Sequence, residues 1–497
     1  MPVNRRQFLK SSAACAIAST TPFGYSAAMA NIALSQFNTP LKLPPLDEGR
    51  LENNRRIFDL TLRPGFSNFL NNLQTPTAGI NGDFLGPVLS VQRDDEVKLN
   101  VSNNLSEAST LHWHGLNLPA KMDGGPHQVI QPGETWSPEF KIDQAASTQW
   151  YHSHMYHRTG IQVYYGLAGL FYINDKTNAA LNLPDTYGVD DIPLVLQDRS
   201  FNQDGSFRYL STMHDRMAGM MGQVMLVNGT PSAVFKVENE RTRLRILNGS
   251  NARIYNLEFS DRRQFLQIAS DGGLLEKPVQ LSSLILAPGE RAEILVEFSP
   301  DDNVMLANKP LPKRPGARMG MMRNMMSAND QPFAIMRFES KQPLAPSKPV
   351  PDQLVIQKNW SITEAVKTRQ FILNMQMGMG MMSGGGFTIN GKSMDMNRID
   401  ARVGLGDIEI WELINDSPMA HPFHIHDVQF RILDRDGKQP AQNEMGLKDT
   451  VLVNSGERVR IITQFENYAD SNSAYMFHCH ILEHEDAGMM GQFIVEA

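Results

Sequence analysis

Ten of the 13 histidines fall in four short runs. These are His112-Trp113-His114, His152-Ser153-His154, His421-Pro422-Phe423-His424-Ile425-His426, and His478-Cys479-His480 with His484. A lone histidine is most often a satisfied core or surface residue, but two runs early and two late in one chain are not explained that way. On an extended strand, residues i and i+2 project from the same face, so each His-x-His pair offers two imidazoles to one point. Neutral imidazole suits copper, zinc, iron or nickel, so the histidines alone leave the metal open. Cys479 narrows the choice. With His478 and His480 facing one way and Cys479 the other, a single strand serves two metal sites. Cys479, His421, His484 and the thioether of Met489 form a two-histidine, one-thiolate set with a weak axial ligand. That is the donor set of a blue-copper electron-transfer centre. Zinc, the rival for such a set, has no redox use for a cysteine-to-histidine bridge.

Methionine supplies a second pattern. The chain has 28, and they bunch: Met213, Met217, Met220, Met221 and Met225; then Met319, Met321, Met322, Met325 and Met326; then Met375, Met377, Met379, Met381 and Met382, followed by Met394 and Met396. Filling a core is the usual work of methionine, and it suits the first bunch, where 213–225 reads as a short helix lying over a site. Gly378-Met379-Gly380-Met381-Met382 beside Gly384-Gly385-Gly386 has neither the volume nor the periodicity for a core. Thioethers are soft ligands that favour Cu(I). His127, His157 and His214 have no motif partner and are assigned no role.

The elements that position these residues repeat. Pro132-Gly133-Glu134 leads towards Trp136 and Phe140, Pro288-Gly289-Glu290 into Arg291–Phe298, and Ser455-Gly456-Glu457 into Arg458–Phe465. Before each lies an alternating strand that stops at an asparagine: Val97 to Asn103, Arg243 to Asn248, Ile408 to Asn415. Asn-Gly recurs at 81–82, 228–229 and 390–391, each after an apolar residue. Period-two alternation bounded by Gly, Pro and Asn turns predicts antiparallel strands in a sandwich or barrel. At 497 residues the chain is too long for one ordinary core. The expected class is all-β, in three tandem domains over 45–176, 190–340 and 352–497. The first and third carry the histidine runs, and the middle one has none and a methionine-rich end. The proline-rich stretch 341–351 reads as a stiff linker.

The N-terminus differs from the body. Arg5-Arg6 precede a modest apolar stretch, Ala13 to Ala18, and Ala28-Met29-Ala30 offers a small-x-small cleavage site. Residues 1–30 therefore look like a twin-arginine export signal, which predicts a periplasmic protein. Removing them takes three of 46 basic and none of 53 acidic residues, shifting the net charge from −7 to −10. Such an acidic surface argues against nucleic acid or anionic membrane as a partner, and no later run approaches the length of a spanning helix. Of two cysteines, Cys15 leaves with the signal. The remaining thiol, Cys479, has no partner for an internal disulfide, and a metal would occupy it.

Taken together, the four runs resemble the multicopper oxidase family, and the likeness covers residue 50 to the C-terminus. It implies three cupredoxin-like Greek-key domains and four copper ions: one type 1, one type 2 and a type 3 pair. His421, Cys479, His484 and Met489 match the type 1 ligands, and His112 and His424 the type 2 pair. His114, His152, His154, His426, His478 and His480 match the type 3 ligands. The resemblance implies dioxygen as electron acceptor, reduced to water, with Asp123 and Glu485 as acid groups near the cluster. The stretch His478-Cys479-His480-Ile481-Leu482-Glu483-His484-Glu485-Asp486 is similar to the CueO-type cuprous oxidases of copper tolerance. That branch implies Cu(I) as substrate, with Met375, Met419 and Asp416 near its substrate-copper positions. A laccase-like phenol oxidase and a methionine-rich copper-sequestering protein are the alternatives. Because the domains repeat within one chain, a monomer suffices to complete the site.

Overall fold

The computed structural model describes residues 36–70, 72–312, 332–375 and 386–497. Residues 1–30, Met319–Met326 and Met377–Met382, singled out above, lie outside the described residues.

Three sandwich units follow one another along the chain, and the repeated asparagines show how each is built. Strands Glu96–Asn103, Arg241–Asn248 and Ile408–Asn415 all end on a buried asparagine. In each, the side-chain amide donates to two carbonyls across the corner. Asn103 reaches Glu107 and Ile130, Asn248 reaches Arg253 and Leu286, and Asn415 reaches Met419 and Val453. Each Oδ1 also accepts the N–H two residues on, from Leu105, Ser250 and Ser417. The asparagine thus satisfies backbone groups that the ending strand would leave orphaned. The Asn-Gly pairs repeat too. Asn81, Asn228 and Asn390 take positive φ of 58°, 51° and 53°, and their side chains bond the neighbouring strand at Thr61, Val195 and Ile372.

The first unit has a six-stranded and a five-stranded sheet, the middle unit a seven-stranded and a six-stranded sheet, and the third two five-stranded sheets. Alternate residues of facing sheets fill each core. In the first unit Phe58, Leu60, Val97 and Leu99 meet Leu89, Trp113, Tyr151 and Phe171. In the third, Phe371, Trp411 and Ile461 meet Phe423, Phe477, Phe493 and Cys479. Burial alternates strictly along Glu96–Asn103, as the period-two pattern requires. Described helices are short, such as Thr159–Tyr165, Met213–Ala218 and Leu482–Asp486.

Two segments depart from the sequence reading. The proline-rich stretch begins as strand, because Phe333–Ala345 runs on to place Ala345 opposite Asn239. Pro343 is tolerated there because the register breaks between Val237 and Asn239, and the other neighbouring strand pairs only as far as Glu339. Residues ahead of 45 are also structured: Thr39–Pro40 pairs in parallel with Ala233–Val234 of the middle unit.

Candidate metal centres

Histidine runs from the first and third units meet face to face. Strand His112–His114 pairs antiparallel with Ser147–His152, which sets His112 opposite His152. Strand His421–Ile425 pairs with Asp470–Cys479, which sets His424 opposite His478. Across the junction, His112 stacks on His426 with ring centroids 3.9 Å apart, and His114 on His424 at 3.7 Å. Eight imidazoles (His112, His114, His152, His154, His424, His426, His478 and His480) therefore wall one closed chamber, each no more than 1% exposed.

Hydrogen bonds at the rim decide which ring nitrogen faces inward. His112 Nδ1 lies 2.8 Å from the carbonyl oxygen of Asp123, His152 Nδ1 2.8 Å from that of Ser153, and His424 Nδ1 2.8 Å from that of Asp449. A carbonyl only accepts, so these nitrogens carry the proton and each Nε2 keeps its lone pair. Those three Nε2 atoms, with His114 Nδ1 and His480 Nε2, are buried without any hydrogen-bond partner. The remaining three converge directly: His154 Nε2 and His426 Nε2 each lie 3.2 Å from His478 Nε2.

Cys479 points the other way, into the third-unit core. His421 Nδ1 and His484 Nδ1 lie 3.3 and 3.7 Å from its Sγ and 3.3 Å from each other. His484 Nε2 donates to the carbonyl of Met217 at 3.1 Å. His421 Nε2 meets Ser417 Oγ at 2.7 Å, a hydroxyl that itself donates to Met419 O. Both Nδ1 lone pairs therefore face the sulfur. Met489 is fully buried in the same core cluster, and its carbonyl accepts the Cys479 N–H at 3.0 Å.

Family models described as multicopper oxidase match residues 63–178, 171–337 and 363–497. The chain is 36% identical over 466 residues to a multicopper oxidase, mco, of Staphylococcus haemolyticus, covering 93% of both chains. It is 34% identical over 495 residues to the cell division protein FtsP of Xenorhabdus nematophila, covering 100% of this chain and 99% of that one. A laccase-like multi-copper oxidase CueO from the lignin-degrading bacterium Ochrobactrum sp. superposes with a TM-score of 0.83 at 39% identity, covering 92% of this chain and 100% of that one.

The chain belongs to the multicopper oxidase family. It is a copper-dependent oxidoreductase that passes electrons from a reducing substrate to dioxygen.

The donor set of this multicopper oxidase fits the metal. Inward lone pairs left without a protein partner in a buried chamber are an unmet cost, and a cation bound by borderline nitrogen ligands meets it. Separations near 3.2 Å between nitrogens are those of ligands about 2 Å from a shared ion. Burial holds the imidazoles neutral. It pushes His114, His152, His154, His421, His426, His478 and His480 well below the usual range, and His424 below it. Neighbouring imidazoles push the same way. Burial alone takes His484 down to about 3, although its bond to Met217 acts in the opposite sense. Burial raises the Cys479 thiol, so without a cation beside it the sulfur keeps its proton.

Asp123 and Glu485, expected near the cluster, both touch chamber histidines. His426 Nδ1 donates to Asp123 Oδ2 at 2.7 Å, and Asp123 Oδ1 lies 3.4 Å from His112 Nδ1. Glu485 spans two rings, Oε1 3.3 Å from His154 Nδ1 and Oε2 3.2 Å from His478 Nδ1. Burial, and then the charge of Asp486, push its carboxyl well above the usual range.

The substrate-side expectations are less gathered. Met375 and Met419 lie in the core cluster that contains Cys479 and Met489, each 7% exposed. Asp416 is exposed, and its N–H bonds the carbonyl of Leu373 beside Met375. The helical reading of 213–225 is realised as Met213–Ala218, whose Met217 carbonyl caps His484. Of the unassigned histidines, His127 bonds Gln492 and His157 the carbonyl of Asp486.

Sequence reasoning missed Asp449. Its Oδ1 lies 3.0 Å from His114 Nε2, its carbonyl accepts from His424, and Arg291 binds both its carboxylate oxygens. The one local signal was an acidic residue opening the apolar run Thr450–Val453. The other missed contact is Phe387, stacked on the outer face of His484 at 4.0 Å.

Proposed function

We propose that His421, Cys479, His484 and Met489 would hold one copper, which when bound would accept electrons singly from a reducing substrate, and that the chamber histidines would hold three more where dioxygen is reduced. His112 and His424 would hold the type 2 ion, and His114, His152, His154, His426, His478 and His480 the type 3 pair, giving four coppers per chain. When bound, copper supplies reversible one-electron redox chemistry, and four such ions match the four electrons that turn dioxygen into two waters. What carries the reading is the match between the inward lone pairs and this ligand set.

The chain's own residues do the rest. Residues 478–480 join the two centres through two peptide units, so one backbone segment links the thiolate to two chamber histidines. The walls exclude water, which preserves the strength of every fixed charge inside. Glu485, whose carboxyl burial shifts towards its protonated form, lies within reach of His154 and His478, placed to pass on the protons that water formation consumes. Asp123 stays against His426 and His112 and orients both rings.

For the donor, we favour Cu(I), bound by the thioethers of Met375 and Met419 with Asp416 at the surface. Soft ligands beside the Cys479 centre, and the methionine bunching of the sequence, support it. Laccase-like phenol oxidation is the second reading, favoured by the lignin-model activity named for the Ochrobactrum enzyme. The twin-arginine-like start would send the protein to the periplasm. The test is oxygen uptake with chelated Cu(I) and with a phenol, before and after exchanging the methionines of 375–382 for leucine. Selective loss of Cu(I) oxidation supports the cuprous reading. Unaffected Cu(I) oxidation with faster phenol turnover overturns it, and no oxygen uptake with either donor leaves copper storage.

A further inference from the structure

The middle unit gives no histidine to either centre, yet its Pro288-Gly289-Glu290-Arg291 turn is pressed against the chamber. Gly289 has φ of +84°, and a Cβ there would lie 2.8 Å from Cδ2 and 2.9 Å from Nε2 of His480. Two residues on, the fully buried Arg291 grips Asp449 as a fork, Nη1 to Oδ1 at 2.8 Å and Nη2 to Oδ2 at 2.5 Å. Asp449 in turn holds the outer nitrogens of two chamber histidines from different units, His114 through its carboxylate and His424 through its carbonyl.

We infer that Arg291 is a positioning residue for the chamber: by fixing the Asp449 carboxylate it keeps the proton of His114 on Nε2 and turns Nδ1 inward. The inference rests on the copper reading above and extends it to a unit that supplies no ligand.

Three observations separate this role from a structural ion pair. First, a buried ion pair is weak evidence for stability in itself, whereas the far side of this one ends on two chamber histidines. Second, the guanidinium is fully committed: Nε donates to Thr148 O at 3.1 Å, Nη1 also to Gly289 O at 3.1 Å, and Nη2 lies against Gln149 Oε1 and Asp271 O. It therefore has one orientation, which Lys, a point charge on a flexible stem, would not reproduce. Third, the residue after His114 must be glycine to admit the arrangement. A Cβ on Gly115 would sit 2.1 Å from Gln149 Oε1, 2.5 Å from Asp449 Oδ2 and 2.7 Å from Arg291 Nη2. The surrounding charges are fixed as well. Asp271 Oδ1 accepts the Arg291 backbone N–H at 2.7 Å, and Lys448 Nζ bridges Asp271 and Glu290 at 2.9 and 3.2 Å. Two buried cations thus face three buried carboxylates, leaving one negative charge beside a chamber built for cations.

The test uses the full chain with Arg291→Met, Arg291→Lys, Asp449→Asn and the Arg291→Met/Asp449→Asn double variant. Copper bound per chain is divided into the Cys479 centre, read from its thiolate-to-copper absorption, and the chamber, read by difference. The proton position on His114 is read in metal-free protein by long-range ¹H–¹⁵N correlation. The expected result is an unchanged Cys479 centre and a chamber affinity for copper about 10–100-fold weaker in Arg291→Met. Arg291→Lys falls in the same direction, the double variant is no weaker than the worse single, and His114 becomes a mixture of tautomers. Wild-type chamber affinity with a wild-type tautomer in Arg291→Met, or additive losses in the double variant, overturns the inference. Should Arg291→Met fail to fold, Arg291→Lys, which keeps the charge and loses the fork, decides by the same two readouts. If folded wild-type protein itself takes no copper into the chamber, the copper reading fails instead.

Discussion

Replacing Asp123 by Asn removes one charge and few atoms, and its effect can be worked out from the contacts. The carboxylate accepts from His426 at 2.7 Å and lies 3.4 Å from His112 Nδ1, while the backbone carbonyl of the same residue keeps its own bond to His112 at 2.8 Å. His112 therefore stays oriented, and the loss falls on His426. A hydrogen bond to an ionised group contributes about 1.5–3 kcal/mol, against about 1 kcal/mol for a neutral one. The difference of about 0.5–2 kcal/mol corresponds to about a 2–30-fold change. Steady-state oxygen uptake by fully copper-loaded Asp123→Asn should fall by that factor. Absorption of the Cys479 centre should not change, because none of the described hydrogen bonds of Asp123 reaches His421, Cys479 or His484. Turnover within twofold of wild type at equal copper loading would refute the reasoning, and so would loss of the blue absorption.

Met489→Leu should cost less than about 1.5 kcal/mol of stability, being nearly volume-conserving, while raising the potential of the Cys479 centre through loss of the thioether; redox titration of its absorption checks this. Gly115→Ala should destabilise the protein by about 3 kcal/mol or more, since φ is +85° and the new methyl meets Gln149 and Asp449; urea unfolding of metal-free protein reads it. Acid should weaken the junction between the first and middle units through Glu293. Burial would raise its carboxyl, but Arg243 and Arg245 outweigh burial and hold it at about 2, with help from the Thr148 hydroxyl at 2.6 Å. A depressed carboxylate contributes stability above its unfolded value of 4.5 and loses it as pH falls towards about 2. About 3 kcal/mol should therefore disappear across that window, and Glu293→Gln should flatten the slope of urea stability against pH between 5 and 3.

The histidine chamber was legible in sequence because the geometry that builds it is local. A two-residue spacing on a strand fixes a common face, and opposite parity separates Cys479 from His478 and His480. The three asparagine corners were legible because the strand that stops at an asparagine recurs three times, although each amide also bonds a carbonyl 27 or 38 residues away. The proline-rich stretch misled because composition does not reveal a register break: Pro343 sits where Phe333–Ala345 slips against its neighbour, so the strand runs further than its prolines suggest. Met375 and Met419 were placed near a substrate copper by resemblance to the cuprous oxidases, and the resemblance did not carry their depth, which is in the core cluster with Cys479. The bond between Arg291 and Asp449 was hidden because it joins residues 158 apart in sequence, and the acidic start of the run before Thr450–Val453 gives no hint of its partner.

That last pair bears on why a middle unit without ligands persists in the architecture. The Ser-Gly-Glu turn of the third unit leaves nothing within 4 Å of a Cβ on Gly456, and the first unit's Gly133 is equally open. The middle copy alone is driven into contact with a chamber ring, at Gly289 against His480. One repeated turn therefore serves as an ordinary surface corner twice and as a wall of the site once. The difference lies in where the units dock, not in the turn itself. A site shared between the first and third units has two walls free to part; the middle unit's Arg291, which bonds Thr148 and Gln149 of the first and Asp449 of the third, ties them. The same logic explains the position of the charges. Burying Arg291, Asp271, Asp449 and Lys448 together is costly unless every partner is in place, so the network forms only when all three units are docked. Docking of the middle unit and orientation of the His114 ring are thus coupled, and a chamber assembled without that unit would leave His114 in no fixed tautomer.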